Sequence, residues 1–93
     1  MGDNTSDDDL RVGARTPPAD LAAAISHGIY DGKTVKLRAI GAGAVNQANK
    51  AIAIAQGYVA PRAIVLHTII GFTSVDMPDK PNTTAMIYKV FSA

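Results

Sequence analysis

The segment from Lys33 to Ile40 has the clearest alternation of polar and apolar positions in the chain. Because successive side chains of an extended strand point to opposite faces of a sheet, this segment predicts a strand with one apolar and one basic face. Lys36 and Arg38 lie on the basic face. The apolar face, which we expect to pack against a core, consists of Val35, Leu37 and Ala39.

A helical period precedes this strand. Apolar positions three or four residues apart indicate a helix with one buried face, and here they are Leu21, Ile25, Gly28 and Ile29. Thr16 is the predicted N-cap and Pro17 the predicted first helical residue. The Asp31-Gly32 pair favours a turn at the end of the helix. A short strand over residues 10–14 is predicted before it.

A second helix is predicted from about Ala44 to Gln56, with Gly57 as its C-terminal glycine. Its side chains are small on most sides, which indicates close packing against a sheet or another helix. The apolar stripe of this helix consists of Val45, Ala48, Ile52 and Ala55. Its polar stripe consists of Asn46, Asn49 and Lys50.

Two apolar segments follow, residues 63–72 and 85–91, joined by a proline-containing loop over residues 75–84. The first predicts a central strand, or a strand covered by a second subunit. The second predicts a final strand with apolar residues on both faces. Exposed apolar patches of this size mark interfaces, so we expect a homodimer or a larger homo-oligomer.

The predicted element order is therefore β-α-β-α-β-β. Two helices cover only one face of a four-stranded sheet. We expect an α+β, two-layer sandwich, with a four-stranded mixed sheet and both helices on one face. The 93 residues suffice for one domain, which we place at residues 10–93.

The charges divide the chain unevenly. Residues 1–9 hold four of the eight aspartates and no lysine or arginine, and the rest of the chain holds all nine basic residues. We expect a disordered acidic tail at residues 1–9 and a basic body. A basic body indicates a polyanion partner that the tail screens, whereas the alternative is that the tail only keeps the protein soluble.

The residue content argues against several classes of protein. The chain has no cysteine, no glutamate and two histidines forty positions apart, which offers neither a metal site nor a catalytic set. We therefore expect no enzyme, no metal and no cofactor. No apolar run is long enough to span a membrane, and the acidic N-terminus is unlike a signal peptide, so a cytoplasmic protein is expected.

The Gly41-Ala42-Gly43 turn between a strand and a helix leaves three interpretations open. A dinucleotide fingerprint lacks its third glycine and its acidic partner here. A helix N-terminus with free N–H groups at Gly43, Ala44 and Val45 would bind a phosphate, with Lys36 and Arg38 nearby. The third interpretation is that the glycines only form a tight turn.

The segment AIGAGAVNQANKAIAIAQGYVAP, from Ala39 to Pro61, closely resembles the signature of the stage V sporulation protein S family. LRVGARTPPADLAAAI resembles the first strand and helix of that family, and IVLHTIIGFTSV and TAMIYKV resemble its last two strands. The resemblance covers about residues 10–90. The family in turn resembles the Alba superfamily of dimeric β-α-β-α-β-β domains that bind DNA or RNA.

This resemblance implies nucleic-acid contacts from the first strand–helix loop, the start of the second helix and the final hairpin. Together with the basic face of the strand, the implied contact residues are Arg15, Lys36, Arg38, Gly43, Asn46, Gln47, Lys50 and Lys80. The chain departs from the family pattern at Gln56, where an arginine is expected, and at Asn49, where an apolar residue is expected. The lost positive charge weakens phosphate binding.

The leading hypothesis is a nucleic-acid-binding regulatory protein that acts in bacterial sporulation or development. It would bind the phosphate backbone of DNA or RNA without strong sequence preference. The alternative is a self-assembling structural or adaptor protein that binds no nucleic acid. A third hypothesis is a small-ligand or nucleotide sensor that uses the Gly-Ala-Gly turn.

Overall fold

The computed structural model, which describes residues 7–93, contains one four-stranded sheet and two long helices. The elements are β1 (Asp7–Val12), α1 (Pro18–Tyr30), β2 (Thr34–Ala39), α2 (Ala42–Val59), a 3₁₀ turn (Ala60–Arg62), β3 (Leu66–Val75) and β4 (Thr83–Ser92). The strand order is β1-β2-β4-β3, with β1 parallel to β2 and with β4 antiparallel to both of its neighbours. Strand β4 therefore joins the two halves of the sheet. The predicted fold class is confirmed.

The alternation in β2 determines which face of the sheet holds the core. Val35, Leu37 and Ala39 are fully buried, as predicted, and they pack with the inner faces of both helices. From α1 the predicted face is buried throughout: Leu21, Ile25, Gly28 and Ile29. From α2 the buried residues are Ala44, Ala48, Ala51, Ala55 and Val59, whereas the predicted Val45 and Ile52 are only half-buried.

Four alanines on the buried face of α2 explain how a short chain forms a dense two-layer core. Small side chains let α2 approach α1 and the sheet closely. Tyr88 of β4 is the one aromatic residue in the described core. Its burial raises the pKa of its phenol above the ordinary value, so this side chain stays neutral over the physiological pH range.

The first strand begins earlier than predicted. Asp7, Asp8 and Asp9 were assigned to the acidic tail, but they lie in β1 and pair in parallel with Thr34 to Lys36 of β2. Backbone pairing does not depend on apolar side chains. In addition, the Lys33 Nζ lies 3.3 Å from the Asp8 Oδ1. The remainder of the predicted tail, residues 1–6, lies outside the described residues.

The start of α1 differs from the prediction by one residue. Pro17 is the N-cap, with an extended ψ of 122°, and Pro18 is the first helical residue. A proline disfavours the helical conformation in the residue before it, so Pro18 excludes Pro17 from the helix. Thr16 does not cap the helix, because its Oγ1 accepts a hydrogen bond from the Gly13 N–H at 2.8 Å.

The second helix continues through Gly57 to Val59, so the prediction of Gly57 as a C-terminal glycine was wrong. Val59 is fully buried and fixes the last turn. The left-handed residue that reverses the chain is instead Ala63, with φ 62°, after the 3₁₀ turn. Strand β3 therefore begins at Leu66 rather than at Ala63.

Strand β3 was predicted to be central or covered by a second subunit. The central position was wrong, because β3 lies at the edge of the sheet. Ile69, Ile70 and Phe72 are 59%, 59% and 76% exposed, with Ile69 on one side of the strand and the other two on the opposite side. Along the described chain, then, β3 is a long apolar edge strand with one backbone edge unpaired.

The Gln56 side chain connects the end of α2 to the start of β3. Its Nε2 donates to the Ile64 carbonyl at 2.9 Å, and its Oε1 accepts from the Leu66 N–H at 2.8 Å. The departure from the family pattern at this position therefore supplies two hydrogen bonds between elements.

Replacing Gln56 with alanine should destabilise the fold by about 1–3 kcal/mol, because two half-buried backbone groups lose their partners. The measurement is the free energy of unfolding in urea. Asn49→Ala is the control, because it removes an exposed amide from the same helix. Equal stabilities of the two variants would contradict the role of Gln56.

Candidate functional site

The face of the sheet opposite the helices, called here the open face, collects basic side chains from three adjacent strands. Residues that pair across strands point to the same side, so the register defines this face. Arg11 pairs with Arg38, and Lys36 pairs with Lys89. Its other described residues near these four are Asp9, His67, Ile69, Gly71, Ile87 and Phe91.

These four cations are incompletely neutralised by the described residues. Like charges on paired residues destabilise a sheet, and here two such pairs lie side by side. The Arg38 Nη2 lies 3.7 Å from the Asp9 Oδ2, and this is the only ion pair found on the open face among residues 8–93. Both side chains are more than a third exposed, so the pair contributes little stability. The open face therefore attracts anions.

Two stacked rings lie beside the lysines on the open face. His67 and Phe91 pair across β3 and β4, with ring centroids 5.7 Å apart and an interplanar angle of 23°. The His67 side chain is exposed in the chain as described. A flat aromatic surface next to lysines can stack nucleobases while the cations hold phosphates.

A second group of candidate residues lies at the C-terminal ends of the parallel strands β1 and β2. The loop after β1 carries Arg15, which is exposed, and contacts the start of α2. Gly43 permits this contact, because a Cβ there would lie 2.8 Å from the Ala14 Cβ. The Gln47 Nε2 donates to the Thr16 carbonyl at 2.9 Å. Gln47 thus holds the loop in place, and one of its two amide N–H groups is already used.

The first turn of α2 leaves three backbone N–H groups without intrahelical partners, at Ala42, Gly43 and Ala44. Val45 was expected to be a free donor together with Gly43 and Ala44, but its N–H bonds to the Gly41 carbonyl at 3.0 Å. Gly41 is the N-cap and has a φ of 90°. It provides no side-chain cap, and no acidic residue lies in the first turn, so the helix dipole favours an anion here.

Asn46 and Lys50 are both exposed and extend this edge along α2. The Asn46 Nδ2 lies 3.4 Å from the Gln47 Oε1, so the two amides are in contact. The structure thus brings Arg15, Asn46 and Gln47 together at one edge of the domain. Lys36 and Arg38 lie instead on the open face.

Lys80 lies in the β3–β4 hairpin, which extends past the C-terminal end of β2, on the same side as the α2 start. The hairpin is internally hydrogen-bonded. The Asn82 N–H donates to the Asp76 Oδ1 at 3.1 Å, and the Thr83 Oγ1 donates to the Lys80 carbonyl at 2.7 Å. Asp76 is therefore a hairpin-capping residue, and Lys80 is presented to solvent on a folded turn.

The described part of the chain shows neither a group of acidic and histidine side chains that could hold a metal nor a helix suited to crossing a membrane. The candidate site consists of surface cations and hydrogen-bond donors. Sequence analysis did not single out two of its residues, Arg11 and Lys89. Their strands show polar positions among apolar ones, but only the pairing register brings them beside Lys36 and Arg38.

Residues 8–93 match the family described as stage V sporulation protein S (SpoVS). The chain belongs to this family. The match extends from β1 to the C-terminus, so it includes the open face, the α2 start and the hairpin. The resemblance found from the Ala39–Pro61 segment is thereby confirmed, and the protein is placed among sporulation-related proteins.

Alanine substitutions at two glycines of α2 distinguish the effect of packing from the effect of helix propensity. Replacing Gly57 with alanine should stabilise the protein by about 0.5–1 kcal/mol, because a Cβ there meets nothing within 4 Å. Replacing Gly43 with alanine should destabilise it by about 1–3 kcal/mol, since the loop at Ala14 must move. Thermal unfolding of the two variants measures both effects. A higher melting temperature for Gly43→Ala would show that the loop contact is loose.

Proposed function

We propose that this protein is a non-enzymatic, nucleic-acid-binding regulator in bacterial sporulation or development. The observation that carries the proposal is the alignment of Arg11, Lys36, Arg38 and Lys89 on the open face of the sheet. Four cations at neighbouring positions form a basic surface that can neutralise phosphates of a nucleic-acid backbone. Family membership supports the sporulation context.

The open face favours a single strand over a duplex. A single strand exposes its bases, which can stack on the His67–Phe91 pair while its phosphates follow the cations. The edge with Arg15, Gly43, Asn46, Gln47 and Lys50, together with Lys80, is a second backbone contact in this proposal. Gln47 serves there by holding the loop that carries Arg15.

Binding should be strongly salt-dependent. If four phosphates are neutralised, the affinity for a single strand should fall about 50-fold between about 50 and 200 mM salt, and that for a duplex about 150-fold. Fluorescence anisotropy with labelled single-stranded DNA, RNA and duplex DNA measures both the affinity and the salt dependence. No binding of any probe at about 50 mM salt would overturn the proposal.

Two double variants then locate the contact surface. Lys36→Gln with Lys89→Gln removes two charges from the open face, and Arg15→Gln with Lys50→Gln removes two from the loop edge. For a single strand, the slope of log affinity against log salt concentration should decrease in magnitude by about 1.4 in the first double variant. The decrease should be smaller in the second. The reverse order would assign the main contact to the loop edge.

The exposed apolar β3 supports a second function, self-assembly. Ile69, Ile70 and Phe72 are exposed along a ten-residue edge strand. Unprotected edges of this kind pair with other strands, and proteins cover them. We propose that β3 of a second copy pairs antiparallel with β3 about a twofold axis. This arrangement places both open faces on the same side of one continuous sheet.

Phe72→Lys should shift the protein towards the monomer, raising the dimer dissociation constant at least tenfold, because a charge would be buried at the interface. Analytical ultracentrifugation measures this change. The control is Tyr58→Lys, which places the same charge on an exposed aromatic residue of α2, outside the β3 strand. A wild-type protein that is monomeric at all concentrations would refute the β3 interface.

A further inference from the structure

A cavity of about 270 Å³ lies where the β3–β4 hairpin meets the ends of β1 and β2. This size is near the lower end of small-ligand pockets. Two arginines come from the open face, and the hairpin contributes the other wall. The lining residues are Arg11, Arg38, Ile40, Val75, Asp76 and Met77.

Of the two arginines, Arg38 forms an ion pair with a described carboxylate and Arg11 forms none. They are paired across β1 and β2, so their guanidinium groups belong to adjacent side chains. Arg38 contacts the Asp9 carboxylate only at 3.7 Å, and its Nε is buried with no hydrogen-bond partner among the described residues. A buried donor without an acceptor is costly. An anion in the cavity would reduce the repulsion between the two guanidinium groups.

The remaining lining residues restrict the kind of anion. Asp76 presents a carboxylate, whose Oδ1 accepts the Asn82 N–H at 3.1 Å. A bare inorganic anion would be repelled by this group. A ligand that also carries a hydroxyl or amino donor would instead bond to the second carboxylate oxygen. Ile40, Val75 and Met77 provide an apolar wall for a flat or hydrophobic part of such a ligand.

We propose that this cavity binds a nucleoside monophosphate, either free or as the phosphorylated end of a nucleic-acid strand. The phosphate interacts with Arg11 and Arg38, a sugar or base donor bonds to Asp76, and the nucleoside packs on the apolar wall. Only the strand-end source rests on the proposed nucleic-acid function. Binding of the free nucleotide is independent of it.

The experiment compares matched probes. AMP, adenosine and inorganic phosphate are titrated by calorimetry, and two oligonucleotides of one sequence, with a 5′-phosphate or a 5′-hydroxyl, are compared by anisotropy. We expect AMP to bind and adenosine not to bind, and the 5′-phosphorylated strand to bind at least fivefold more tightly than the 5′-hydroxyl strand. A preference for AMP over adenosine supports the cavity as a site for the free nucleotide. A preference for the 5′-phosphorylated strand supports it as a site for a strand end.

Three variants test the assignment. Arg11→Gln should weaken AMP binding at least tenfold and abolish the 5′-phosphate preference. The control is Arg62→Gln, which removes the same charge from the 3₁₀ turn, where the guanidinium stacks 4.0 Å from the Tyr30 ring centroid. It should change neither the affinity for AMP nor the preference for the 5′-phosphorylated strand. Asp76→Asn should weaken the binding of AMP, which loses its carboxylate partner, and strengthen the binding of inorganic phosphate, which the carboxylate no longer repels. The asparagine oxygen can still accept the Asn82 N–H.

The outcomes separate this proposal from the proposed function. If AMP does not bind and the two strands bind equally, the cavity proposal is wrong although the nucleic-acid function stands. If no strand binds but AMP binds and depends on Arg11, the nucleic-acid function is wrong and the cavity proposal stands. An equal loss of AMP affinity in Arg11→Gln and Arg62→Gln would also refute the cavity assignment, because the loss would then reflect the net charge of the protein and not a contact in the cavity.

Discussion

The packing of two helices on one face of a four-stranded sheet is the constraint on which the rest of this structure depends. It buries Val35, Leu37 and Ala39 between layers and leaves the opposite side of β2 without a cover. That side must be compatible with water or with a partner. The open face meets the requirement with cations from three strands, and the same constraint leaves β3 exposed on both sides.

Close packing also explains the glycine and alanine content of α2. From the sequence, the Gly-Ala-Gly turn could be either an anion site or a tight turn. In the structure, its two glycines have different roles. Gly41 adopts a positive φ as the N-cap, and Gly43 allows the loop at Ala14 to approach. The uncapped N–H groups nevertheless remain beside Arg15, so a packing role and an anion-binding role are compatible at this edge.

Several elements were predictable because a local rule governs them. The β2 alternation, the buried face of α1 and the turn at Asp31-Gly32 follow from periodicity and turn chemistry, and the element order gives the fold class. The ends of elements were harder to predict. Asp7 to Asp9 joined β1 through backbone pairing, and Gln56 and Val59 extended α2 and delayed β3 through contacts between elements.

The sequence by itself determined the secondary structure types, the family and the basic face of β2, since each depends on neighbouring residues or on a long contiguous motif. Only the tertiary structure decided which strands adjoin. The register placed Arg11 and Lys89 beside Lys36 and Arg38, moved β3 to the edge and formed the arginine cavity under the hairpin. The physical reason is that pairing between strands distant in sequence is selected by burial across the whole domain, which no local pattern specifies.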